Sequence, residues 1–279
     1  MSIHIITDSA SDITGIDREK LTILPMAITF GETEYQDGIT LSHKEFYEKL
    51  IESSEIPVTS QITPYSFKCA IEKAVKNGDA VIVITMSSKL SGTYQSAAAA
   101  AMEYDDSVYV VDSENVTLGE KILVEYALKL IEAGMSAEKI VEELNSVKKR
   151  IRLVALLDTL EYLKKGGRIS KTAAFAGGLL GIKPVIAIAE GEVAILGKAR
   201  GSKQGNNLIA QQVHAEGIDF SKPFCLGYTG LNDLLIKKYA EDNEELWKGH
   251  VDKLPIITVG GTIGTHAGPG AIAVAWFAE

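Results

Sequence analysis

Cysteine is almost absent: Cys69 and Cys225 are the only two, far apart and in no CxxC pattern. This excludes a disulfide framework and a cysteine-rich metal site. It predicts a reduced, cytoplasmic setting with both thiols buried and structural. Catalytic signatures are missing too. The chain has no GxSxG elbow, no HExxH, no GxxxxGK[ST] phosphate loop and no two histidines at ligand spacing, so no metal site is expected. Basic charge is in deficit, 28 Lys and Arg against 37 Asp and Glu, for a net charge of −9. That balance weighs against nucleic acid as a partner. No run is long enough to cross a membrane: Ala173–Ala189, the most apolar stretch, is broken by Lys183, Pro184 and three glycines. The opening Met-Ser-Ile-His-Ile-Ile-Thr-Asp lacks the basic and apolar regions of a signal peptide and reads as a first strand.

What is present is an ordinary soluble composition, 46% apolar and 23% charged over 279 residues, enough for one large domain or two of usual size. Short β-branched runs at Ile3–Thr7, Ile23–Phe30, Ala80–Thr85, Val108–Val111 and Leu153–Leu157 read as strands. They alternate with helical patterns at His43–Ser53, Pro64–Asn77, Tyr94–Tyr104, Thr117–Ala133 and Ala137–Arg150. Such alternation predicts an α/β fold whose amino-terminal part is a parallel sheet with helices on both faces. The rest mixes hairpins and helices: a strand pair around Glu190-Gly191, helices at Asn206–Ala215 and Leu231–Asn243, and strands at Phe224–Tyr228, Pro255–Val259 and Ala271–Phe277. This predicts a smaller two-layer α/β domain. The boundary is expected near Leu157–Arg168, giving domains 1–160 and 161–279.

In a parallel sheet, ligands bind beyond the carboxyl ends of the strands. Thr7-Asp8-Ser9, Met86–Thr93 and Asp112-Ser113 fall there. The second cluster matters most. It turns from a strand into an Ala-rich helix and carries Ser87, Ser88, Ser91 and Thr93 around Gly92. A helix start offers free N–H groups and a positive dipole end, so this turn suits a carboxylate or phosphate. Capping alone needs fewer hydroxyls. Thr63 before Pro64 reads as a helix cap, which leaves Thr59, Ser60 and Gln61 for other work. The segment Thr258–Gly270 holds five glycines and His266, a density that lets backbone approach a ligand closely or take up positive φ. Asp8 and Asp12 fit either cation binding or a structural role. Basic clusters at Lys164, Lys165 and Arg168, and at Lys198 to Lys203, fit helix-end cations or a surface for phosphate or an acidic partner. Ser91 with His266 also leaves open a serine hydrolase, although neither an elbow nor an orienting acid is visible.

Seven motifs together resemble the DegV family in order and spacing: Thr7-Asp8-Ser9, Tyr35–Gly38, Thr59–Gln61, Leu90–Ser96, Val111–Ser113, Leu163–Ile169 and Ile263–Gly270. The resemblance covers essentially the whole chain. It implies a two-domain α/β fold with a long-chain fatty acid between the domains and no cofactor. It implies a non-catalytic role, the binding subunit of a bacterial fatty acid kinase. A separate ATP-dependent kinase subunit would phosphorylate the carboxylate for phospholipid synthesis, with transient membrane contact. Carried onto this chain, the ligand residues would be Thr59, Ser60, Ser91, Gly92, Thr93, Thr265 and His266, with Arg168 and Arg200 contacting the partner or the acyl phosphate. The apolar Ala173–Ile188 segment would supply a cavity wall.

Overall fold

A computed structural model describes residues 2–14, 19–53, 55–104, 107–169 and 181–279. The first half contains β1 (Ile3–Asp8), β2 (Leu21–Leu24), β3 (Ala27–Phe30), β4 (Thr33–Gln36), α1 (His43–Glu52), β5 (Val58–Ser60) and α2 (Pro64–Lys76). It continues with β6 (Ala80–Thr85), α3 (Thr93–Ala101), β7 (Val108–Asp112), α4 (Thr117–Glu132) and α5 (Ala137–Val147). Then come β8 (Ile151–Leu156), α6 (Glu161–Lys165), β9 (Ile182–Ala189), β10 (Glu192–Arg200) and α7 (Gly201–Glu216). The chain closes with β11 (Cys225–Tyr228), α8 (Leu234–Asp242), β12 (Ile256–Thr258), α9 (Gly261–Ala267) and β13 (Ile272–Phe277).

Three sheets result. The parallel sheet has order β2-β1-β6-β7, with α2, α3, α4 and α5 against its strands. Its central strand Ala-Val-Ile-Val-Ile-Thr is buried at every position, as expected for a strand covered on both faces. A six-stranded mixed sheet has order β10-β9-β8-β13-β11-β12 and packs α7 and α8 on its own core. A small antiparallel sheet, β4-β3-β5, carries Thr59. Helix α4 contacts β1 and β6 of the first sheet and β8, β11 and β13 of the second. This position explains why its whole first half, Thr117 through Val124, is buried, including Glu120 and Lys121. Gly227 faces it so closely that an added Cβ would lie 2.8 Å from a methyl of Leu118.

Three expectations need correction. The predicted strand Ile23–Phe30 is two strands in different sheets: the chain turns at Pro25, which has no N–H to donate to a ladder. β8, expected in the first unit, pairs with β13 and β9 in the second sheet. The change of sheet thus lies between β7 and β8. The middle of the glycine-rich Thr258–Gly270 segment forms α9. Its glycines serve packing: a Cβ at Gly261 would sit 2.6 Å from Ile28, and one at Gly264 would sit 2.7 Å from Phe46 and Tyr47. Lastly, Cys225 is buried but Cys69 is exposed. The wall expected at Ala173–Ile188 lies outside the described residues from 173 to 180; Val185, Ile186 and Ile188 are buried in β9.

Candidate functional site

Three buried carboxylates hold the segments around the site. Asp8 caps the turn after β1, accepting from the Ala10 N–H at 3.0 Å, and reaches the Met86 N–H at 2.9 Å. Asp12 accepts from the Gly260 N–H at 2.7 Å and the Thr117 hydroxyl at 2.5 Å. Asp37 accepts from the N–H groups of Gly261 and Thr262, both at 3.1 Å, and from the Thr262 hydroxyl at 2.6 Å. The start of α9 is thereby tied to residues more than two hundred positions earlier. Burial pushes the Asp8 carboxyl up to about 7 and that of Asp12 up to about 8. Among the described residues, no group of three or more His, Cys, Asp or Glu is arranged to hold a metal ion.

Between the parallel and six-stranded sheets lies a cavity of about 240 Å³. Its walls are apolar: Leu153, Ala155 and Leu157 from β8 and its end, Ile186 and Ile188 from β9, Val193 from β10, and Ala271 and Ala273 beside and within β13. Hydroxyls on the walls are engaged inside the protein. Thr117 donates to Asp12, Thr262 donates to Asp37, and Thr229 accepts from the Ala271 N–H at 2.7 Å. A different group of polar residues gathers where β5, the turn after β6, α9 and the segment after α6 meet: Thr59, Gln61, Ser91, Gly92, Arg168 and His266.

Their contacts set the geometry. The Thr59 hydroxyl lies 2.9 Å from His266 Nε2. His266 Nδ1 is buried without a partner among the described residues. Burial, with Arg168 beside it, lowers the imidazole to about 4, so the ring is neutral near pH 7 and carries one N–H. Gly166 lets the ring lie against the chain, for a Cβ there would be 2.2 Å from Nδ1. The Ser91 hydroxyl lies 2.9 Å from that of Thr93, and its oxygen receives the Thr93 N–H at 3.3 Å, standing at the start of α3. Gly92 leaves room for Gln61, whose Oε1 would be 1.9 Å from an added Cβ. Arg168 donates from Nε to the Leu90 carbonyl at 3.1 Å and from Nη1 to the Gly166 carbonyl at 2.6 Å, which fixes its charge next to Ser91.

The structure brings Thr59, Ser91, Gly92, Arg168 and His266 to one cavity. Other expected site residues sit elsewhere. Ser60 is exposed on β5, paired through its backbone with Ala27. Thr93 is buried and steadies Ser91, while Thr265 donates to the Gly261 carbonyl at 2.9 Å inside α9. Arg200 is exposed at the end of β10, where its N–H donates to Gln204 at 2.7 Å, and it is not among the described lining residues. Ser87, read as a possible ligand hydroxyl, is buried and donates to the Gly191 carbonyl at 2.7 Å. Gln61, free for other work by the sequence but outside the expected ligand set, also lines the cavity, as do Tyr228, Thr229 and Thr262; the place of Gln61 two residues after Thr59 was the available signal.

The hydrolase arrangement is not formed. Thr93 holds the Ser91 hydroxyl, Thr59 holds Nε2 of His266, and no carboxylate orients Nδ1. A ring lowered to about 4 is also a weak base at neutral pH. Neutral donors, a helix start and one guanidinium around an apolar cavity can instead hold an anion that carries a hydrophobic body.

A family model described as "Uncharacterised protein, DegV family" matches residues 2–279. A DegV domain-containing protein of Caldanaerobacter subterraneus subsp. tengcongensis is 36% identical over 276 residues, covering 98% of this chain and 97% of that protein. Among solved structures, a fatty-acid-binding DegV family protein from Thermus thermophilus is similar with a TM-score of 0.89 and 32% identity, covering 100% of both chains. A stearic acid-binding protein from Eubacterium ventriosum is similar with a TM-score of 0.87 and 26% identity, covering 100% of this chain and 98% of that one.

Proposed function

The chain belongs to the DegV family, and on that premise we propose that it binds a long-chain fatty acid in the cavity between its two larger sheets. The observation that carries this reading is the pairing of apolar walls with a single cluster of donors that includes the unpartnered Nδ1 of His266. In this reading the carboxylate is held by the hydroxyls of Thr59 and Ser91, the Gly92 N–H and the His266 ring. Arg168 supplies the nearby positive charge. Burying about 15 methylenes at ~0.8 kcal/mol each offers roughly 12 kcal/mol before ordering costs, so a few donors suffice at the head. The solved relatives from Thermus thermophilus and Eubacterium ventriosum, described as fatty-acid- and stearic acid-binding, support the ligand class.

The finer role is the one that the family resemblance implies. The protein would carry the acid in the cytoplasm and present its carboxylate to an ATP-dependent kinase subunit, which forms the acyl phosphate for phospholipid synthesis. It would load and unload through transient membrane contact. Arg168 beside the head and Arg200 on the surface would meet the acyl phosphate or the kinase. The protein itself supplies no catalytic group and needs no cofactor in this scheme.

Extraction of the purified protein and mass spectrometry of the extract should yield a C14–C18 acid in near-stoichiometric amount. A delipidated protein without affinity for such acids would overturn the ligand assignment. Acyl-phosphate formation by a reconstituted kinase subunit at full rate without this protein would overturn the presenting role and leave the ligand standing.

A further inference from the structure

Beside the acyl cavity lies a second one, of about 310 Å³, lined by Trp276, Asn115 and the exposed Leu196 and Glu190, among others. Among the described residues, the two cavities share two wall residues, Leu153 and Ile188. Both are buried. They sit where the six-stranded sheet comes apart. β8 and β9 pair at Val154–Ala187, Ala155–Ile186 and Leu156–Val185, and the next pair, which would be Leu153–Ile188, is not made.

The cause of the split is visible. β8 stays zipped to β13 as far as Ile151–Phe277. The β9–β10 hairpin stays zipped to its own tip, with Ile188 opposite Val193. That tip is held from the other sheet, because Ser87 donates to the Gly191 carbonyl at 2.7 Å. One strand follows its sheet while the other follows the facing one, and a gap opens between them. Leu153 lies four residues along the chain from Leu157, roughly 13 Å away in extended chain. Leu157 and Arg168 both line the first cavity.

Resting on the fatty-acid reading above, we propose that this split is a back door for the acyl tail. The end of a long chain passes between Leu153 and Ile188 into the second cavity, so these two residues, not a closed wall, set the chain-length limit. Both gate side chains are aliphatic; charged Lys148, Lys149, Arg152 and Glu216 line the second cavity together with Trp276 and Leu196. The second cavity reaches the surface through exposed Ala189, Glu190 and Leu196, so the tail has somewhere to go.

The test compares affinities for saturated C16 and C22 acids, measured by displacement from delipidated protein, in the wild type, Leu153→Trp and Ile188→Trp. The C22-to-C16 affinity ratio should fall about tenfold or more in either variant. An unchanged ratio in both overturns the back door alone. Absence of C16 binding in the wild type overturns the fatty-acid reading and this inference with it. A second readout leaves the gate untouched. The protein has two tryptophans, and in a Trp247→Phe background Trp276 is the reporter that remains. A C22 acid brominated at its terminal carbon should quench Trp276 emission, whereas the C14 analogue should not. Equal quenching by the two acids overturns the proposal even if the tryptophan gates fail to fold.

Discussion

Helices α3 and α9 both start at a glycine beside the cavity, and their first N–H groups meet opposite fates. At α9 the protein supplies its own carboxyl acceptors: Asp12 takes the Gly260 N–H, and Asp37 takes those of Gly261 and Thr262. At α3 there is no acidic residue in the first turn and no side-chain cap at Gly92, and the local acceptor is the neutral Ser91 oxygen. The same helix-end physics is spent on architecture in one case and left for a visitor in the other. An anion entering the cavity therefore belongs at α3, and α9 contributes through its far end, where His266 projects.

Variants that exchange these two roles test the comparison. The largest effect is expected from Asp37→Ala, which strands the Gly261 and Thr262 N–H groups and the Thr262 hydroxyl in a buried place. Chemical denaturation should show a loss of roughly 4 kcal/mol, with lipid binding lost as α9 detaches. A loss below about 1 kcal/mol would mean that α9 does not depend on a built-in anion. At the other helix, Ser91→Ala should leave the melting temperature nearly unchanged. Calorimetry should then show fatty-acid affinity weaker by about 1.5–3 kcal/mol, the range for a bond to a charged group. If stability falls and affinity holds, the roles of the two helix starts are reversed.

The pH dependence sharpens the same contrast. Asp12 has a folded value of about 8, raised from its ordinary 3.8 by burial, so the folded state holds the proton more tightly. Its contribution is fully present below the ordinary value and is lost as pH rises through 8; Asp8, at about 7, acts in the same direction. Stability should thus fall from pH 5 to pH 8. In Asp12→Asn the slope should be shallower by on the order of 1 kcal/mol per pH unit, read from denaturation curves at each pH. The smallest effect is expected away from both helices. Arg200→Ala should leave fatty-acid affinity unchanged while slowing acyl-phosphate formation by the kinase, and a change in affinity would place Arg200 at the head after all.

The sequence made the local elements legible because their signals are local. Thr63 followed by Pro64 does cap α2, accepting from the Ser66 N–H at 3.2 Å, and the buried β6 occupies its expected span. The turn at Ser91 was readable for the same reason, being a strand end, a glycine and a helix start in one stretch. Sheet membership was not legible. Pairing of β8 with β13 joins segments about 120 residues apart, and a short apolar run looks alike in either sheet. The part played by the glycines of α9 was hidden too, since what they accommodate is Ile28, Phe46 and Tyr47 from the other end of the chain. The inward turn of the Thr265 hydroxyl was not legible either, because a hydroxyl facing back into its own helix has the same sequence signature as one facing out.

The position of β13 has a consequence for how the molecule comes into being. It is the last strand in chain order among the described residues, yet it sits between β8 and β11 in the middle of its sheet. Until residues 272–277 arrive, β8 and β11 have no common neighbour and the sheet remains two fragments. The segment just before it, α9, carries His266 to Thr59 across 207 positions. During synthesis the parallel sheet can form early, but the second sheet and the cavity close together in one late, long-range step. A nascent chain short of that step would expose the apolar walls of the cavity, and would be a natural client for a chaperone.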